Sequence, residues 1–296
     1  MSTVLFDAPG PRGRRRIAVV NVAGAVVVLG GLAWVTWALA AKGQLSAEKW
    51  EPFLTASVWQ DYLLIGLWNT LRAAAVAIVT SAVFGLIFGL GRLSQLTAVR
   101  AVCGVVVEFF RAVPVLIMMI FFYFLFSRSG IVAPSQAPFY GVVVGLTLYN
   151  GSVMAELVRS GVHNLPRGQR EAGLAVGLTP GQSLRLVELP QALIAMLPSM
   201  ISQLVVILKD TALGSIISYS ELLRSARLVG STFANYVPAL MVAAVIFIVV
   251  NYSLTWVAER VARRLSVRTT GTPRAVASDG GVALTGVPAG AGAGAG

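Results

Sequence analysis

The chain is poor in the residues on which most catalytic chemistry depends. Its 296 residues include one cysteine, Cys103, and one histidine, His163. A lone cysteine inside an apolar run closes no intrachain disulfide, builds no metal site, and reads as a small buried hydrophobe. A lone histidine beside Asn164 excludes the histidine-cluster metal enzymes and reads as a solvated loop residue. Lysine occurs only at Lys42, Lys49 and Lys209, and none ends a Gly-x4-Gly-Lys-Ser/Thr loop. The usual phosphate cradle for ATP is therefore missing from this chain. No metal, cofactor or catalytic residue is expected. Charge is scarce too: 12% of residues are charged and 56% are hydrophobic. Soluble domains carry roughly twice that charged fraction, so the composition points to an all-α polytopic protein whose solvent is a lipid bilayer. The net charge of +11 raises nucleic-acid binding. The arginines sit between apolar runs instead of alternating with aromatics, so membrane topology explains them and no nucleic-acid partner is expected.

What is abundant is long apolar sequence. After a basic segment, residues 1–16, with Arg12, Arg14, Arg15 and Arg16, six runs follow. They cover Ile17–Ala41, Tyr62–Leu90, Ala101–Phe126 (broken by Pro114), Phe139–Val158, Ala192–Ile217 (with Pro198 near its start) and Tyr236–Val257. Each is long enough to cross a hydrocarbon core of ~30 Å at about 1.5 Å per residue. The first run has a secretory signal as its rival, because Ala38-Leu39-Ala40 resembles a cleavage site; its length, Trp34 and Trp37 favour a retained helix. Residues 42–61 read as a mixed-charge external loop. Six crossings put both termini on one side, and the positive-inside rule makes it the cytoplasmic side of a plasma membrane. That side gathers Arg92, Arg100, Arg159, Arg167, Arg170, Arg185 and the arginines after residue 259, whereas the other holds Lys42, Lys49, Arg128, Arg224 and Arg227. Arg72, within the second run, is read as snorkelling to the outer interface. Residues 265–296 end in Ala-Gly repeats and read as a disordered cytoplasmic tail.

Between the fourth and fifth runs, residues 164–190 form a polar loop with two helical signatures. Gln169–Val176 favours helix, and Gly177 stands where a helix stops. Thr179-Pro180-Gly181-Gln182 then reads as an N-cap, a proline at the first helical position and a capping box. Leu174, Val176 and Leu178 need cover. Either another protein's groove or the membrane surface and the chain's own bundle supplies it.

The loop's spacing is informative. Glu171-Ala172-Gly173, then Gly177, then Val187-Glu188-Leu189-Pro190 resembles the Glu-Ala-Ala-x3-Gly-x9-Ile-x-Leu-Pro signature of permease subunits of bacterial ABC importers. Gly173 and Val187 depart from it, and the glycine costs up to ~1 kcal/mol of helix propensity. Glu108-Phe109-Phe110-Arg111-Ala112-Val113-Pro114, Ala155-Glu156-x-x-Arg159-Ser160-Gly161, Leu189-Pro190-Gln191-Ala192 and Lys209-Asp210-Thr211 are similar to the polar amino acid branch. The likeness covers about residues 60–264. Asp7-Ala8-Pro9-Gly10-Pro11 and the added first helix further resemble glutamate-uptake permeases of actinobacteria.

The resemblance implies a type I importer permease fold with a core over residues 62–264, preceded by an extra helix and loop at 17–61. It implies a coupling loop in which Glu171, Ala172, Gly173, Gly177, Leu189 and Pro190 meet a separate cytoplasmic ATP-binding subunit. It also implies a second permease subunit, a different chain by the glutamate-system likeness, and an external solute-binding protein. Glu171 either pairs with that ATPase or with Arg167 one helical turn earlier. For the substrate path, intramembrane polar groups are the candidates. Tyr149, Ser152 and Glu156 share one helical face, with a local Glu156–Arg159 pair as the structural alternative. Lys209 and Asp210 project about 100° apart and each needs its own partner or water. If the cargo is glutamate, Lys209 suits a carboxylate while Glu156 or Asp210 suits the ammonium. Two rival functions are a stand-alone secondary transporter, which calls for paired discontinuous repeats, and an intramembrane enzyme, which calls for clustered acids or histidines.

Overall fold

The computed structural model describes residues 10–269, without the side chains of Arg167 and residues 265–269. The opening up to Pro9, ahead of the arginine cluster, and the tail beyond Thr269 lie outside these residues. Ten helices organise the rest: α1 Pro11–Ala41, α2 Leu64–Arg92, α3 Thr97–Ala112, α4 Val115–Ser129, α5 Ala137–His163, α6 Arg167–Ala175, α7 Pro180–Ser183, α8 Leu189–Asp210, α9 Leu222–Thr232 and α10 Tyr236–Thr269. Short helical turns cover most of the remaining connections. No strand occurs among the described residues.

Helix α1 begins at Pro11, so the arginine cluster is helical and not a separate tail. Proline at the first position leaves no donor wasted, and arginine is a good helix former. None of its residues is buried, and Val19, Val27 and Trp37 are each more than two-thirds exposed. Only lipid solvates such a surface.

The core is organised by small residues. Gly66, Thr70, Ala73, Ala74, Ala77, Ser81, Gly85 and Gly89 are the buried positions of α2, all of them small, and apart from Ala74 they repeat every three or four residues. A Cβ on Gly85 would come within 2.6 Å of the Met154 Cβ, and one on Gly89 within 3.0 Å of the Val158 Cβ. Between membrane helices this is how backbones approach closely enough for dispersion to hold them. The seam also fixes direction. Ser81 donates to the Leu146 carbonyl, and Gly89 meets Ala155 and Val158, so α2 and α5 run parallel. Gly145 packs on Met119 and Gly141 on Tyr123, so α4 runs antiparallel to α5. Gly161 packs on Ala192 and Met196, so α8 is antiparallel to α5 as well.

The third run differs from a straight span. It breaks at Pro114, as its sequence predicts, but α3 and α4 meet at 99°. Proline removes a donor and disfavours helix at Val113, which is extended with ψ 127°. Helix α3 exposes Val102, Val105 and Phe109 along one side and buries Val107 on the other. It lies as an elbow, and α4 makes the return crossing that the parallel α2 and α5 require. Among the described residues five helices are long and apolar enough to cross a membrane, and the bent pair raises the number to six.

Residues 42–61 are a folded cap. Phe53, Val58 and Leu63 pack with Leu222, Ala226 and Val229 of α9 and with Ala239 and Ala243 of α10. Lys49 donates to the Ala234 carbonyl at 2.7 Å, and Asn235 returns a bond to the Lys49 carbonyl at 2.9 Å. Helix α9, which the apolar runs do not foretell, is capped by Glu221. Its fully buried carboxylate accepts from the backbone N–H groups of Leu223 and Arg224, both at 2.7 Å. Burial pushes this carboxyl up to about 7, against the pull of those two donors.

Candidate functional site

The loop after α5 folds as a rigid double turn. Gly177 has φ +85°, a left-handed conformation that disfavours any side chain. The Leu178 N–H reaches the Gly173 carbonyl at 3.1 Å, and the Gly177 N–H reaches Leu174 at 3.0 Å. These two bonds form a Schellman closure of α6. Thr179 and Gln182 then make a complete capping box for α7. Gln191 donates to the Gln169 side chain at 3.0 Å and to the Val187 carbonyl at 3.0 Å, fastening α6 to the foot of α8.

The glycine at 173 has a local reason. A Cβ there would lie 2.7 Å from the Ser183 Oγ. Ser183 is fully buried and donates to Glu188, itself buried, at 2.9 Å. Thus the departure at Gly173 lets α6 pack on Ser183, whose bond to Glu188 ties α7 to the foot of α8. The outward face carries Glu171 and Ala172, both exposed, and exposed apolar side chains: Leu174 at 41%, Val176 at 77% and Leu186 at 66%. Leu189 is half-buried and Pro190 exposed at the start of α8. Glu171 forms no ion pair among the described residues.

Above the loop, five charges converge from three helices. Glu156 of α5 accepts from Arg92 at 2.7 Å and from Arg159 at 2.6 Å, with Arg111 at 3.6 Å. Glu108 of α3 meets Arg92 at 3.1 Å and Arg111 at 3.4 Å. Sequence spacing indicates the local pairs Glu156–Arg159 and Glu108–Arg111. It misses Arg92, whose side chain is only 12% exposed and joins the two carboxylates. The only sequence signal for Arg92 is its position where the second apolar run stops.

The candidate path residues are not brought together as one lining. Ser152 is fully buried, and its Oγ has no hydrogen-bond partner among the described residues. Glu156 is occupied by the arginines, and Tyr149 is half-buried. At the opposite end of the bundle, Lys209 is exposed and Asp210 half-buried, and neither has an ion-pair partner among the described residues. Arg72 shares that end, its guanidinium 4.4 Å from the centre of the Phe139 ring. Nearby, Tyr219 donates to the Asn69 carbonyl at 2.7 Å.

An apolar helical bundle with a folded polar loop between two of its spans has the architecture of a polytopic membrane protein. The chain belongs to the family of binding-protein-dependent transport system inner membrane components, whose model matches residues 81–267. It is 49% identical over 227 residues to the glutamate transport system permease protein GluD of Corynebacterium glutamicum, covering 77% of this chain and 83% of that one. It is 33% identical over 218 residues to a probable glutamine ABC transporter permease protein, GlnP of Bacillus subtilis, covering 73% and 94%. A crystal structure of an amino acid ABC transporter with histidines superposes with a TM-score of 0.64 at 26% identity, over 72% of this chain and 98% of that one. The protein is a permease subunit of an amino acid ABC transporter.

Proposed function

We propose that this permease imports glutamate, and that its loop of residues 164–190 receives the movement of a separate cytoplasmic ATPase. The observation that carries the mechanism is the loop's construction. Two reciprocal caps and the Ser183–Glu188 bond make it stiff, while Leu174, Val176 and Leu186 remain uncovered on its outer face. A partner's groove covers such a face better than water does. Because α5 and α8 leave the loop directly, a displacement of α6 reaches both spans as rigid levers. Closure of the ATPase on ATP then biases a two-state equilibrium between outward and inward openings. On this reading Glu171, Ala172, Gly173 and Gly177 form the docking helix, and Leu189 and Pro190 its junction with α8. Both termini lie in the cytoplasm with the arginine-rich helix ends. A second permease, a different chain, completes the pathway, and an external binding protein delivers the cargo.

The cargo assignment leans on the similarity to GluD. Arg72 and Lys209 agree with it: neither forms a salt bridge among the described residues, both stand at the end where cargo would arrive, and they favour an anion. Asp210 and Tyr149 are the remaining candidates for the ammonium and the passage. The test is uptake by proteoliposomes holding the permeases with their ATPase and binding protein. Labelled glutamate is accumulated only with ATP, and unlabelled glutamate competes better than glutamine, arginine or aspartate. Uptake by this polypeptide alone, driven by a proton gradient, would overturn the proposal in favour of a secondary transporter.

A further inference from the structure

A cavity of about 370 Å³ opens between the α2–α3 turn and the loop, where α2 and α5 reach their membrane ends at Arg92 and His163. Arg92 and Arg100 line it from one side, and His163 and Arg170 from the other, with Glu188 also in its wall. Its charges do not cancel. Glu188 is buried and engaged by Ser183. Arg92 is engaged by Glu156 and Glu108. Among the described residues Arg100 reaches only neutral oxygens, the Ser94 carbonyl at 3.1 Å and the Thr97 hydroxyl at 3.3 Å. Arg170 is exposed and has no ion pair among the described residues. Two guanidinium groups from separate elements therefore line a polar hollow against the single carboxylate of Glu188, which Ser183 holds, and the balance stays positive.

We propose that this cavity binds the phosphate of an anionic phospholipid headgroup. Planar guanidinium forks match phosphate oxygens two at a time, and Arg100 and Arg170 have no ion pair among the described residues that would compete. The depth is right, because basic pockets between membrane helices at their ends are where anionic headgroups dock. Helix α3, which supplies Arg100, also exposes Val102, Val105 and Phe109. That apolar ridge gives acyl chains a surface, which a soluble anion would leave unused. A headgroup held by Arg100 and Arg170 ties the first turn of α3 to α6, so the lipid would stiffen the loop through which the spans are driven.

The test is native mass spectrometry of the permease purified in neutral detergent, titrated with phosphatidylglycerol or phosphatidylcholine. Phosphatidylglycerol is retained about tenfold more strongly, and R100Q/R170Q removes the difference, a change of about 1.4 kcal/mol. R170Q alone, at an exposed side chain, weakens retention part of the way and guards against misfolding of the double variant. R128Q/R224Q, at the other end of the bundle, leaves it unchanged. Equal retention of both lipids, or an unaltered preference in R100Q/R170Q, would overturn the proposal. So would full displacement of phosphatidylglycerol by millimolar inorganic phosphate, which would assign the cavity to a soluble anion.

Discussion

Replacing Glu156 by glutamine strikes the charge cluster at its centre. The carboxylate accepts from Arg92 at 2.7 Å, from Arg159 at 2.6 and 3.1 Å, and from Ser160 at 3.3 Å. Its side chain is 20% exposed and that of Arg92 12%, so water screens the contacts only in part. Three arginines against two glutamates leave the cluster at +1, and the substitution takes it to +2. Exposed ion pairs contribute about 0–1 kcal/mol, whereas breaking a buried one costs about 3–5 kcal/mol. This site lies between those limits, so Glu156→Gln costs about 2–3 kcal/mol. At roughly 2–4 °C per kcal/mol for a chain of this size, the midpoint in a thermal-unfolding assay in detergent falls by about 4–12 °C. Glu108, 59% exposed, is the control: Glu108→Gln costs less than about 1 kcal/mol. A cycle with Arg159→Gln gives a coupling of about 1–2 kcal/mol. If Glu156→Gln costs no more than Glu108→Gln, the cluster does not hold α2, α3 and α5 together.

Three further outcomes are expected. Gly85→Leu drives a side chain into Met154 and the Gly151 carbonyl, and lowers stability by about 1–3 kcal/mol in the same assay; an unchanged midpoint would refute the close seam. Gly173→Ala gains up to ~1 kcal/mol of helix propensity but meets Ser183. It is therefore neutral or destabilising alone and stabilising relative to its parent in a Ser183→Gly background, and equal effects in the two backgrounds would deny the contact. Glu221 binds its proton more tightly folded, at about 7, than at its ordinary 4.5. Its contribution is thus fully present below pH 4.5, declines as pH rises to 7, and is constant above. The wild type should lose roughly 3 kcal/mol across that window relative to Glu221→Gln, and parallel pH profiles would contradict the shift.

The sequence is legible where polarity changes and opaque where it does not. The span limits, the break at Pro114, the stop at Gly177 and the capping box at Thr179 all follow from residues that contrast with their neighbours. The α2–α5 seam is invisible to a hydrophobic pattern, because every face of α2 is apolar. It is written in residue size, Ala77 to Gly89 at a spacing of four, a signal that hydropathy does not weigh. The 99° elbow cannot be read from one proline, since bending depends on what the flanking helices pack against. Helix α9 and the cap of residues 42–61 escape for another reason: each is short, and each is held by the other. Arg92 and Glu156 meet across 64 positions of chain, so their contact becomes visible only in three dimensions. Among the docking residues, the spacing marks Glu171 and Gly177, while the role of Ser183 in making room at Gly173 needs the fold.

The central claim is that the outward face of α6 passes ATP-driven motion to α5 and α8. Its most direct measurement is made on Glu171→Lys/Leu174→Asp, two exposed positions whose alteration should leave the unfolding midpoint of the permease where it is. Capture of the ATPase by the permease and ATP-dependent uptake are then measured on the same preparation. The account predicts that both are lost together while binding of cargo to the external protein is kept. Undiminished capture and undiminished uptake would contradict it.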